Sequence, residues 1–324
     1  MRGFVANTDY DWFTFLRSAE QPVEEVNFWR PASDSSFKAL QSGEPFFFKL
    51  KSPHNAIGGF GYFAHFSNLP LSLAWQVFGQ GNGAPNFALM RERLLHFRSR
   101  FRMDLEYGKD FSIGCILINE PLFFDRKDWI RIPEDFAPNI VQGKTYDLAT
   151  GEGERLWLEC VAREREYRSR TASKQVNDRE SLIVAETQSL LGGYGPPALI
   201  RPRLGQGSFR VAVLDTYDRR CSVTGERTLP ALEAAHIREF HEIQEHAIPN
   251  GILLRADIHK LFGAGYVTVT PQYTFEVSRR IKEEFENGRD YYALHGSTIR
   301  LPANVLHHPL PDALIWHNEN RFRG

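Results

Sequence analysis

The stretch that decides the reading of this chain runs from Leu232 to Gly263. It opens with LEAAHI (232–237), passes through Pro249-Asn250-Gly251 (PNG), and closes with ILLRADIHKLFG (252–263). Three of its residues stand in order: His236, Asn250 fourteen positions on, and His259 nine after that. The apolar residues of 232–237 lie between polar turn segments, which predicts a strand. Asn250-Gly251 is a turn signal, and 252–262 has helical spacing ending at Gly263-Ala264-Gly265. Strand, loop and helix in that order can hold one imidazole on a strand and another on the helix packed against it. Two imidazoles so held can divide the work of general base and metal ligand. Taken singly, each histidine reads as a packed strand residue or a helix-end residue. The ordered set is what points to chemistry.

The words around the three residues, CSVTGE (221–226), EAAHI (233–237) and NGILLRADIHKLF (250–262), resemble the HNH family of ββα-metal endonucleases, and within it a restriction-endonuclease branch. The resemblance implies a ββα-metal fold, with the turn-like start of its first hairpin at Cys221–Gly225. It implies a divalent ion, Mg2+ or Mn2+, one per site, and double-stranded DNA as substrate. On that pattern His236 is the general base that takes a proton from the attacking water, Asn250 ties down the loop and orients His236, and His259 binds the metal. The sequence departs from the pattern at two neighbours. Ala235 stands where many members carry an acid or a second histidine, and Gly263 stands where many carry a ligand-capable residue. Glu233 and Asp257 are the nearby carboxylates that would complete the metal site. Of the two CxxC pairs that many members use for zinc, only Cys221 remains, with Thr224, Arg255 and Ile258 in the other places; no structural zinc is expected. A DNA-binding protein with a degenerate site is the alternative that Ala235 and Gly263 leave open.

At 324 residues the chain is long enough for two domains with separate cores. The division expected is 1–160 as a recognition domain, 161–200 as a helical linker and 201–324 as the nuclease domain. The overall class is α+β. Net charge is −1, so a nucleic-acid partner must be met by local basic patches rather than by a global field. Three widely spaced cysteines argue against a disulfide framework and for a reducing cytoplasm. No apolar run approaches a membrane span, and the N-terminus lacks a signal pattern. Neither GxSxG nor HExxH occurs, which counts against a serine hydrolase or a zincin.

In the N-terminal part, EPFFFKL (44–50) and GGFGYF (58–63) read as strands, the second with glycines that signal a bulge or close backbone approach. A short helix is expected over 72–78, another over 86–102, and a buried strand over 111–118. The charged run 162–191 suits a connecting helix. Ser208 to Tyr217 is helical in pattern with Ser208 as N-cap, and 266–277 reads as a β-hairpin. The order of the N-terminal elements, the word Trp29-Arg30-Pro31 and the 72–78 helix resemble the PUA-like superfamily, especially EVE-type readers of modified bases. That resemblance implies a small β-barrel with helices whose aromatic mouth stacks a flipped base, modified cytosine included. Trp29, Arg30, Tyr62 and Trp75 are the contact residues it singles out. Arg91, Arg93, Arg98, Arg100 and Arg102 form a basic stretch that would follow a phosphate backbone. His241 and His246 lie in the loop between His236 and Asn250, within reach of a phosphate. One HNH site per chain favours a homodimer or two sequential nicks for cutting both strands.

Overall fold

The computed structural model describes residues 1–20, 23–32, 36–100, 110–177, 204–238 and 247–324. The chain divides into two compact units, Met1–Pro202 and Arg203–Gly324. Both mix helices and strands, so the α+β class holds for each.

Unit 1 is built on a seven-stranded mixed sheet. Its strands are β1 (Arg2–Thr8), β2 (Glu25–Arg30), β3 (Pro45–Leu50), β4 (Ala56–Pro70), β5 (Ser112–Phe123), β6 (Ile130–Arg131) and β7 (Gly143–Asp147). The order is β2-β5-β4-β3-β1-β7, with β6 added to β4, and only β1 and β3 run parallel. Phe46, Phe47 and Phe48 are all fully buried, although successive strand residues face opposite sides. Both faces of the sheet are therefore covered. Val5, Phe47, Phe60 and Tyr62 belong to one core together with Leu156 and Trp157 of α4 (Gly151–Asn177). Ala6, Phe46 and Phe48 belong to the other, with Trp12, Phe13 and Leu16 of α1 (Tyr10–Arg17). The aromatic strand expected at 44–50 is continuous because a helix closes each side of it.

β4 is longer than the expected 58–63 and bends, its register against β5 shifting between Phe60 and Tyr62. Gly59 permits this: a Cβ there would lie 2.1 Å from the carbonyl oxygen of Leu122. Helices α2 (Leu71–Phe78) and α3 (Phe87–Arg100) follow. α4 begins well before residue 162, because its first turns bury Leu156, Trp157 and Cys160 and so belong to the core of unit 1. The edge strands β2 and β7 form no ladder with each other among the described residues, so the sheet is not closed by backbone pairing into the expected barrel. Side chains do cross that seam, where Arg30 Nη2 donates to Gln142 Oε1.

Unit 2 opens with α5 (Gln206–Thr216), capped by Gly205 rather than by the expected Ser208, which is fully buried inside the helix. Two antiparallel strands come next, β8 (Leu232–His236) and β9 (Gly251–Arg255), then α6 (Ala256–Gly263) without a break. The helix expected from 252 is thus a strand for its first four residues. Ile252, Leu253 and Leu254 are completely buried, and a short continuous apolar run of that kind suits a covered strand as well as a helix. β10 (Val267–Val269) and β11 (Phe275–Val277) form the expected hairpin. Helices α7 (Arg280–Phe285), α8 (Arg289–Tyr292) and α9 (Pro311–Asn320) complete the unit. His317 of α9 stacks on Phe262 of α6 at 3.7 Å and 11°. All three cysteines are buried and unbridged. No helix of the described residues is long and apolar enough to cross a membrane.

Candidate active site

β8 and α6 carry His236 and His259, and Asn250 ends the short 3-10 turn (Ile248–Asn250) that leads into β9. His236 is the last residue of β8 and stands opposite Gly251, the first of β9. Directly opposed residues of an antiparallel pair share a face of the sheet. On this face lies α5: a Cβ on Gly251 would meet Val213 Cγ2 at 2.5 Å and Phe209 Cζ at 2.9 Å. The ring of Phe209 stacks on the His236 imidazole, with centroids 4.0 Å apart and planes 11° from parallel. The glycine after Asn250 is thus what lets α5 press its aromatic ring against the histidine. Phe209 has no signal in the sequence beyond its place in a helical pattern.

Asn250 is buried and holds the loop by its backbone. Its Oδ1 accepts from Arg238 N at 2.9 Å, and its Nδ2 donates to Arg238 O at 2.9 Å. Its own carbonyl oxygen accepts from Ile237 N at 2.9 Å. These three bonds fix the two residues that follow His236, and so fix where β8 ends. An asparagine suits this position because one side chain must supply both a donor and an acceptor.

Alternation along β8 sends Glu233 and Ala235 to the face opposite His236. There His259, one turn into α6, meets Glu233: its Nδ1 lies 2.6 Å from Glu233 Oε2. Both side chains remain partly exposed, 35% for His259 and 41% for Glu233. Ala235 is completely buried on that same face and supplies no donor.

Asp257 does not join this pair. Its carboxylate is gripped by Arg255, Nε to Oδ1 at 2.7 Å and Nη2 to Oδ2 at 2.8 Å, and Tyr291 Oη donates to Oδ2 at 3.2 Å. The Arg255 guanidinium holds its pKa below the ordinary aspartate value. Three donors thus already occupy the Asp257 carboxylate, apart from the Glu233–His259 pair. Cys221 has its sulfur turned to the backbone, accepting from Thr224 N at 3.4 Å and Arg255 N at 3.3 Å. His241 and His246 lie outside the described residues.

The imidazole nitrogen of His259 suits a borderline divalent ion, and the Glu233 carboxylate adds negative charge beside it. Among the described residues no group of three or more His, Cys, Asp or Glu gathers.

In unit 1 the four residues singled out for base contact separate into two pairs. Trp29 and Arg30 line a cavity of ≈ 350 Å³, together with Trp12, Phe28, Phe37 and Asp9 among others. Trp29 is steadied by its Nε1, which donates to Asn82 O at 2.9 Å. Tyr62 is 2% exposed and belongs to the α4-side core, where burial raises its phenol pKa. Trp75 packs on Phe87 and does not line the cavity. Neither Tyr62 nor Trp75 lines this cavity. Of the basic stretch, Arg93 donates to Gly83 O and Arg98 to Pro31 O, which commits two of its cations to the fold; Arg102 lies outside the described residues.

No curated protein sequence matches the chain. Two crystal structures of mutant ZmASCH protein from Zymomonas mobilis align with 48% of the chain, covering 95% and 93% of their own lengths, each at 12% identity and a TM-score of 0.29. Residues 221–270 match the family model HNH_2, described as HNH endonuclease, and that similarity takes in β8, β9 and α6 together with His236, Asn250 and His259.

Proposed function

We propose that this chain is a divalent-metal-dependent DNA endonuclease of the restriction type, with unit 2 cutting and unit 1 choosing the target. The observation that carries the reading is the order His236 at the end of β8, Asn250 in the turn before β9 and His259 on α6, inside the stretch that matches the HNH endonuclease model. An imidazole nitrogen of His236 takes the proton from the attacking water, its ring held in plane by Phe209. Asn250 keeps the end of β8 in place through Arg238. His259 binds Mg2+ or Mn2+, and Glu233 stands beside it. When bound, the ion supplies positive charge to the scissile phosphate and the departing oxygen. In unit 1, the aromatic cavity beside Trp29 and Arg30 is large enough for a nucleobase, and we assign it the reading of a flipped base, modified cytosine among the candidates. The setting is the cytoplasm, and a homodimer would let two such sites cut both strands.

The test is incubation of the full chain with plasmids differing only in cytosine modification, in Mg2+ or Mn2+. Cleavage by wild type and a drop of about 10²–10⁴-fold for His236→Ala are expected. A wild type that nicks none of them, or a His236→Ala variant that cuts equally well, overturns the reading. Cleavage without regard to modification removes the modified base alone.

A second reading, a DNA-binding protein whose cutting site has decayed, draws on Ala235 and Gly263, which leave Glu233 and His259 without a further acidic neighbour among the described residues. It requires salt-dependent DNA binding with no metal uptake and no cleavage.

A further inference from the structure

Glu233 is a candidate ligand by its place in the sequence, yet the geometry gives it a different task. Its Oε2 is 2.6 Å from His259 Nδ1, a hydrogen-bond separation. An ion shared by the same two atoms, with bonds of about 2.0–2.2 Å, would hold them roughly 3 Å apart. A carboxylate in contact with a ring nitrogen draws the ring proton to that nitrogen. Among the described residues His259 makes no other hydrogen bond, so its Nε2 is without a protein partner there. The ring is 35% exposed and reachable by solvent. We infer that Glu233 is a positioning residue: by accepting from Nδ1–H it fixes the tautomer of His259 and presents a bare Nε2 lone pair to the metal. The two residues come from different elements, β8 and α6, so the bond also sets the rotation of the helix side chain relative to the strand.

This inference rests on the nuclease reading of the site, but its tests need no DNA. Side-chain nitrogen NMR of the metal-free full chain is expected to show His259 protonated at Nδ1 and bare at Nε2. Titration with Zn2+, a diamagnetic imidazole-binding probe, is expected to move the Nε2 resonance and leave Nδ1 protonated. Calorimetry with Mn2+ is expected to show Glu233→Ala binding about 10–100-fold more weakly than wild type. Glu233→Gln is expected to recover most of that loss, because its amide oxygen still accepts from Nδ1–H. A Gln variant as weak as the Ala variant would make Glu233 a direct charged ligand and overturn the inference. A proton on Nε2 in the metal-free chain, loss of the Nδ1 proton on Zn2+ binding, or no saturable Mn2+ binding by wild type overturns it too. If Glu233→Ala fails to fold, the wild-type tautomer and the Glu233→Gln affinity still decide. A chain that meets every one of these expectations and leaves plasmid intact sinks the nuclease reading alone.

Discussion

Asn250 commits both ends of its side-chain amide to a single residue, Arg238, bonding its backbone N–H and its carbonyl at 2.9 Å each. Arg238 lies two positions after His236, so the clamp sets the exit of β8. Asn250→Asp keeps the shape and the acceptor but loses the Nδ2 donor, leaving a buried carboxylate oxygen against a carbonyl. Such a change costs about 1–3 kcal/mol. Urea unfolding of the transition belonging to unit 2 measures it, and an unchanged midpoint would show that the clamp contributes nothing. DNA cleavage is expected to fall in the same variant, since His236 loses its fixed strand end.

Asp257 is tied to Arg255 and Tyr291 rather than to His259. Asp257→Asn is therefore expected to leave Mn2+ affinity within about threefold of wild type, well short of the roughly 10–100-fold losses that follow when a ligand's support is removed. Calorimetry decides; a tenfold loss would return Asp257 to the metal site.

Gly263 follows His259 by four residues on α6, so the two share a face of the helix. A Cβ at Gly263 would meet nothing within 4 Å, and its φ lies in the ordinary range for side chains. Gly263→Asp is expected to fold normally, its helix-propensity gain over glycine offset by a negative charge at a helix C-terminus. The new carboxylate is expected to strengthen Mn2+ binding several-fold. A variant with unchanged affinity would show that the ion does not approach this end of α6.

His317 is almost completely buried, and desolvation pushes its pKa down to about 4. Phe262 O can only accept, so Nε2 carries the proton at 3.1 Å from it, and Nδ1 accepts from Thr268 Oγ1 at 2.8 Å. In the unfolded chain the same imidazole titrates near ~6.5. Between those values the unfolded state binds a proton that the folded state refuses, so the contribution of His317 is complete above about pH 6.5 and is lost as pH falls toward 4. The loss is on the order of 3 kcal/mol. Thermal melts of unit 2 from about pH 7 down to about pH 4 span that window. His317→Gln is expected to flatten the slope there. An identical slope in the variant would assign the acid sensitivity to other groups.

Much of unit 2 is legible in the order of its amino acids. His236, Asn250 and His259 stand out because each is a residue type whose chemistry is local. The aromatic strand at 44–50, the helix at 72–78 and the hairpin at 266–277 are equally plain, each announced by its own period and punctuation. The strand β9 reads as helix because Ile252-Leu253-Leu254 is apolar on every side, and an all-apolar run has no period to read. The start of α4 reads too late, since charge density marks its exposed half while Leu156 and Trp157 mark the half that packs.

Sequence alone determines which residues of unit 2 can do chemistry and in what order they stand along the chain. Tertiary structure decides their pairings. Glu233 and Asp257 are interchangeable as letters, both acids near His259 in the motif. Folding brings β8 under α6, so Glu233 reaches the imidazole, while Arg255 and Tyr291 take Asp257. In unit 1, Trp29 and Trp75 are likewise equal as letters, and only the fold puts one beside the cavity and the other against Phe87. Spacing fixes the face of an element, but the neighbour on that face comes from distant chain, and the partner a charged or aromatic group finds there decides its role.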